Sequence, residues 1–107
     1  MPSVPGLTLN AQLNQAAQVH NQDMVRFDFL SHTGSNGLRS SDRVTNAGYQ
    51  WRSTGENIAV GQRSVNEVME DWLSSPGHCR NIMSASFTEF GMAYDARYWT
   101  QVFARPR

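Results

Sequence analysis

The sequence predicts an α+β domain, read as a three-layer α-β-α sandwich with a mainly antiparallel central sheet. Three observations carry this. Helical periodicity fills the first part of the chain, and the clearest alternating apolar runs stand at its end. Helices and strands do not alternate in the manner of a parallel βαβ sheet. At 107 residues the chain has the length of one domain, so residues 1–107 are read as one unit. Residues 1–6 form a Pro- and Gly-containing lead-in, and the core is expected from about residue 9 to 103.

From Leu9 the apolar or core-type positions Leu13, Ala16, Ala17, His20 and Met24 recur at helical spacing, which predicts an amphipathic helix over 8–27. Its other faces are polar but almost uncharged, through Asn10, Gln12, Asn14, Gln15, Gln18, Asn21 and Gln22. Residues 28–41 have loop composition, with His32 near the entrance. Ser41 or Asp42 is expected to cap a short helix through Ala47, with Gly48 taking a left-handed backbone. Tyr49 to Arg52 alternates in hydrophobicity, and Glu56 to Val60 reads as a strand or extended segment ended by Gly61. Ser64 with Glu67 makes a capping box before a helix that carries Val65, Val68, Met69 and Trp72 on one face. Ser74-Ser75-Pro76-Gly77 stops that helix, and a short helical turn from His78 to Met83 follows. Phe87–Tyr94 and Tyr98–Phe103 read as two strands of an antiparallel hairpin turning at Asp95-Ala96-Arg97.

Composition excludes several function classes. Nine basic and nine acidic residues cancel, so no net field attracts nucleic acid. No apolar stretch is long enough for a membrane span. Cys79 is the only cysteine, which rules out an intramolecular disulfide and any CxxC motif. The first residues lack a signal peptide's charged start and apolar run, so the chain is read as cytosolic or as a trimmed mature domain.

Three residues are candidates for chemistry. His32 is followed by flexible polar residues, and a loop imidazole bonded to a backbone carbonyl is its simpler reading. Glu56 enters an apolar strand, where an unpartnered carboxylate would cost several kcal/mol. It therefore needs a cation, a metal or several donors, and a structural ion pair to an Arg serves as well as a site. His78 follows the rigid Pro76-Gly77 corner, which orients a side chain but is also simply where helices end. His20 lies on the apolar stripe of the first helix and is read as a core imidazole with one satisfied nitrogen. Cys79 is read as a small buried hydrophobe, since neighbours on a helix point about 100° apart and His78 is a poor partner for it. Two His and a Glu suit a divalent metal with an open position or a hydrogen-bonding polar floor. Their spacing matches no short ligand motif, so residue types alone leave both readings open.

The order of motifs adds to this. Val19-His20-Asn21, Phe29-Leu30-Ser31-His32-Thr33-Gly34, Gly55-Glu56-Asn57-Ile58-Ala59 and Trp72-Leu73-Ser74-Ser75-Pro76-Gly77-His78 occur in sequence, then Phe87 to Tyr94 and Tyr98 to Phe103. This set resembles the CAP superfamily (cysteine-rich secretory proteins, antigen 5 and pathogenesis-related proteins; the SCP domain) in its short bacterial branch. The resemblance runs over nearly the whole chain. It implies the α-β-α sandwich, an extracellular or periplasmic address, and a cleft formed by His32, Glu56 and His78. In some relatives the two His bind zinc or another divalent cation, which would make His32 and His78 metal ligands. The second glutamate of eukaryotic members would fall at Ser75, so one neutralising charge is absent.

Three function classes follow. The preferred one is a secreted module whose cleft binds a metal, a small polar or lipid ligand, or an extracellular or cell-surface partner. The second is a metal-assisted hydrolase, a protease among the options, in which His32 and His78 hold a metal and Glu56 is the candidate general base. The third is a vestigial cleft on a domain that works through surface contacts.

Overall fold

The computed structural model of the protein describes residues 7–107, and the lead-in over 1–6 lies outside them. Elements run in the order β1 (Thr8–Leu9), α1 (Ala11–Phe27), α2 (Ser40–Asn46), β2 (Trp51–Val60), α3 (Val65–Leu73), α4 (Pro76–Met83), β3 (Glu89–Asp95) and β4 (Tyr98–Pro106). The sheet order is β1-β3-β4-β2, antiparallel except for the short β1–β3 pair. The expected α-β-α sandwich with its mainly antiparallel sheet is the fold observed.

Strand β4 lies at the centre and sorts its side chains by period two. Val102 and Ala104 face one layer, packing with Leu13, Ala16 and Ala17 of α1 and Val44 of α2. Trp99 and Phe103 face the other, against Val68 and Trp72 of α3 and Ile82 of α4. Residues 99–104 are buried on both sides, which is why this run mixes Thr100 and Gln101 with large apolar residues and still forms a core strand. Thr100 donates to Asn21 of α1 at 2.9 Å, and Gln101 accepts from Asn57 at 3.4 Å, so neither polar side chain is buried without a partner.

Several boundaries differ from expectation. The first helix starts at Ala11, because Asn10 caps it by accepting from Leu13 N, and the preceding Thr8–Leu9 pairs with Glu89–Phe90. Asp42 supports α2 from its third position by accepting from Arg39 N at 3.0 Å, instead of standing at the cap. Strand β2 is continuous through Ser53-Thr54-Gly55, because β4 pairs with it along its length. Pro76 opens α4 at the first helical position, where its missing N–H costs nothing. Ser64 does cap α3, through Glu67 N. The hairpin turns on Ala96 and Arg97, both with positive φ, as a two-residue turn between right-twisted strands demands.

Gly91 fixes how closely α1 meets the sheet. A Cβ there would sit 2.1 Å from the backbone carbon of Leu13 and 2.2 Å from Asn14 N. The α1 backbone therefore lies directly on β3, and Asn14 uses the approach to accept from Met92 N at 2.9 Å.

Candidate functional site

β2 is an edge strand, and both helical layers contact it, α2 from one face and α4 from the other. Register places Glu56 opposite Val102, on the α1/α2 face, and Asn57 opposite Gln101, on the α3/α4 face. Consecutive residues of one strand thus anchor the two halves of the site.

On the first half, Glu56 is 6% exposed and both its oxygens are engaged. Arg43 of α2, itself buried, donates from Nη2 to Oε2 at 2.7 Å. The same guanidinium donates to the carbonyls of His32 at 3.0 Å and Leu38 at 2.8 Å, pinning the loop that carries His32. His32 Nδ1 lies 2.9 Å from Glu56 Oε1. An ion-paired carboxylate only accepts, so Nδ1 carries the proton and the outer nitrogen of neutral His32, Nε2, keeps its lone pair. The His32 side chain is 49% exposed, with that outer edge towards solvent.

On the second half, α4 is held to the sheet by amides. Asn57 donates to the carbonyl of His78 at 3.2 Å, and Asn81 donates to the Asn57 side chain at 2.9 Å and to the Glu56 carbonyl at 3.2 Å. His78 Nδ1 is 2.9 Å from Ser75 Oγ, which faces the imidazole instead of capping the helix. A hydroxyl can give or take that hydrogen bond, so His78 is free to present either tautomer. Burial holds the His78 imidazole below its ordinary range, and the nearby charge of His32 pushes the same way. The two rings are close enough to sense each other.

His20 lies beneath this site, fully buried on α1. It donates from Nε2 to the Ser31 carbonyl at 2.7 Å and stands 3.8 Å from Glu56 Oε1. Its Nδ1 has no partner among the described residues, so the expected core imidazole with one satisfied nitrogen is what is found. Burial lowers its pKa. Cys79 is free and half-buried, more open than a core residue.

The structure thus sets His32 directly on Glu56 and brings His78 to the adjoining face, while the Arg43 ion pair serves Glu56 alongside His32. Sequence reasoning missed Arg43, Asn57 and Asn81. Arg43 sits in a polar stretch with no local pattern to mark it, and its role comes only from tertiary packing. Asn57 lies within the Gly55–Ala59 motif, but nothing in that motif tells which neighbours its amide would reach. For a divalent cation the donor set is thin. No group of three or more His, Cys, Asp and Glu able to hold a metal is present among the described residues. The donors left over are two imidazole nitrogens, fewer than the three or four protein ligands of usual zinc sites.

Comparison with known proteins agrees with this fold. The family model described as the cysteine-rich secretory protein family (CAP) matches residues 3–103. An uncharacterized Bacillus subtilis protein, YkwD, is 32% identical over 99 residues, covering 91% of this chain and 38% of that protein. The crystal structure of an extracellular SCP-domain protein from Bacillus anthracis superposes with a TM-score of 0.89 at 28% identity, over 92% of this chain and 33% of that one. An outer surface protein of Borrelia burgdorferi has the same fold, with a TM-score of 0.85 at 19% identity, over 94% of this chain and 78% of its own. The chain spans between a quarter and little more than a third of the length of the Bacillus proteins it matches.

Proposed function

The chain belongs to the cysteine-rich secretory protein (CAP) family, and on that premise we propose that it is an extracellular binding module. In this reading, His32 and His78 offer two imidazole nitrogens to a divalent cation or to a polar group of a ligand. The observation that carries the reading is the double engagement of Glu56. With Arg43 on one oxygen and His32 on the other, the buried carboxylate is already committed to orienting an imidazole, and each oxygen accepts one strong hydrogen bond before any water is reached. The same engagement disfavours hydrolysis with Glu56 as general base. An ion held there would supply a Lewis acid for an oxygen ligand. The protein's own part is to fix the His32 tautomer through Glu56, to steady His78 through Ser75, and to hold both loops against the sheet edge. The extracellular address is supported by the extracellular SCP-domain relative. No helix among the described residues is long and apolar enough to cross a membrane.

Because Arg43 neutralises Glu56 and Ser75 brings no charge, zinc should bind with a micromolar or weaker Kd. Its affinity should fall as pH drops through the imidazole range, since ligand nitrogens must be unprotonated. Titration calorimetry on the wild type and on the His32→Ala/His78→Ala double variant tests this. Heat of binding unchanged in the double variant would reject the site.

A further inference from the structure

A concave surface lies on the α1/α2 side, its floor linked to Glu56 through the buried residues His20 and Arg43. It is a groove of ≈ 450 Å³ between α1, the segment 34–38 and α2, a volume in the range of small-molecule sites. One wall is a single stripe of α1: Gln15, Val19, Gln22 and Arg26, at the spacing that lines one helical face. The opposite wall carries Asn36, and Asn46 of α2.

The chemistry of this lining is selective. Most of its charge is already committed. Asp23 accepts from Ser35 N at 2.7 Å and Ser35 Oγ at 2.5 Å, and Arg43 is spent on Glu56 and two loop carbonyls. Arg26 lies over the Phe27 ring, 5.3 Å from its centroid. What remains towards the groove is a set of amides, of which Gln15, Gln22 and Asn46 offer a donor and an acceptor while Asn36, whose oxygen accepts from Leu38 N at 3.0 Å, offers its NH₂, beside two exposed apolar side chains, Val19 at 52% and Phe27 at 56%. On the floor, His20 and Arg43 are 0% and 5% exposed, yet His20 Nδ1 and Arg43 Nε have no hydrogen-bond partner among the described residues. One is an acceptor and the other a donor. A hydroxyl group, which is both, is the simplest complement to such a set.

We propose that this groove binds a neutral sugar unit, its hydroxyls held by the amides of Gln15, Gln22, Asn36 and Asn46 and one C–H face resting on Val19 and Phe27. An anionic ligand would meet Asp23, and an alkyl chain would desolvate four amides without replacing their hydrogen bonds. This goes beyond the metal or polar-group reading of the cleft and does not depend on it.

The test is a ¹⁵N NMR titration of the protein with chitotriose, cellotriose and maltotriose, with octanoate as an apolar control. At least one sugar should give saturable shifts, in the millimolar range or tighter, confined to residues 15–27, 34–38 and 43–47. The Gln22→Ala/Phe27→Ala double variant, altered only at exposed positions, should keep a wild-type spectrum elsewhere and bind about tenfold more weakly. Absence of saturable shifts with all three sugars overturns the proposal. So do shifts centred outside the groove, an affinity unchanged in the double variant, or saturation of the same residues by octanoate alone.

Discussion

At the scale of single residues, one carboxylate organises the site. Glu56 joins a strand, a short helix and a loop through Arg43 and His32. Removing Arg43 leaves a buried negative charge without its main partner. Arg43→Met should therefore cost about 3–5 kcal/mol of stability. Adding Glu56→Gln should restore part of it, a coupling that urea midpoints of the two single variants and the double would measure. A single variant within about 1 kcal/mol of wild type would show the pair to be energetically idle. His20 adds a pH dependence. Burial, assisted by Arg43, holds its folded-state pKa below 6.5, against the opposing pull of Glu56 and the Ser31 carbonyl. Between the folded value and 6.5 the unfolded chain binds more protons. The neutral-imidazole contribution is thus complete above 6.5 and is lost as pH falls below it. His78 shifts in the same direction. Urea midpoints should decline below pH 6.5, and His20→Gln should flatten that decline; a slope equal to wild type would remove His20 from the explanation. The three cleft residues could be named from the sequence because family motifs carry them. Arg43 could not, since its neighbours in the chain say nothing of a carboxylate 13 residues on.

At the scale of elements, periodicity located α1, cap and stop signals marked α2 and α3, and α4 was expected only as a turn from His78; the strands that failed to announce themselves did so for physical reasons. β1 has two residues, too few for a period, and exists because β3 offers it an edge. β2 looked like two pieces because Ser53 and Gly55 interrupt the alternation of apolar residues and favour strands weakly, which pairing with β4 overrides. Gly91 reads in the sequence as an ordinary strand glycine, and only the packed α1 backbone shows what it is for. Gly91→Ala must push α1 off the sheet, and a loss of about 3 kcal/mol in the urea midpoint is expected. A near-neutral result would mean that α1 rides on β3 far more loosely than its hydrogen bond to Met92 indicates.

At the scale of the molecule, the two helical layers share one sheet and both contact its edge strand β2, with His32 belonging to one side and His78 to the other. A ligand touching both imidazoles binds only the folded chain, so excess zinc should raise the thermal midpoint, by about 2.7 kcal/mol of stabilisation at a hundred times its Kd. Thermal melts of the double His variant should not respond. The layer order followed from the sequence, with helices early and the hairpin late. That the cleft would straddle an edge did not, because sheet order is set by packing of distant segments.

That edge has one more consequence. Trp72 Nε1 donates to the Ile58 carbonyl at 3.2 Å, and Asn81 takes the Glu56 carbonyl two residues earlier. Side chains of α3 and α4 thereby occupy the acceptors that an unpaired strand would otherwise offer to another polypeptide. A bare ten-residue border is an invitation to strand addition and to fibrous association. Here the residues that brace the candidate site also cover two of the outward carbonyls on that border, those of Glu56 and Ile58, and so narrow the stretch open to strand addition.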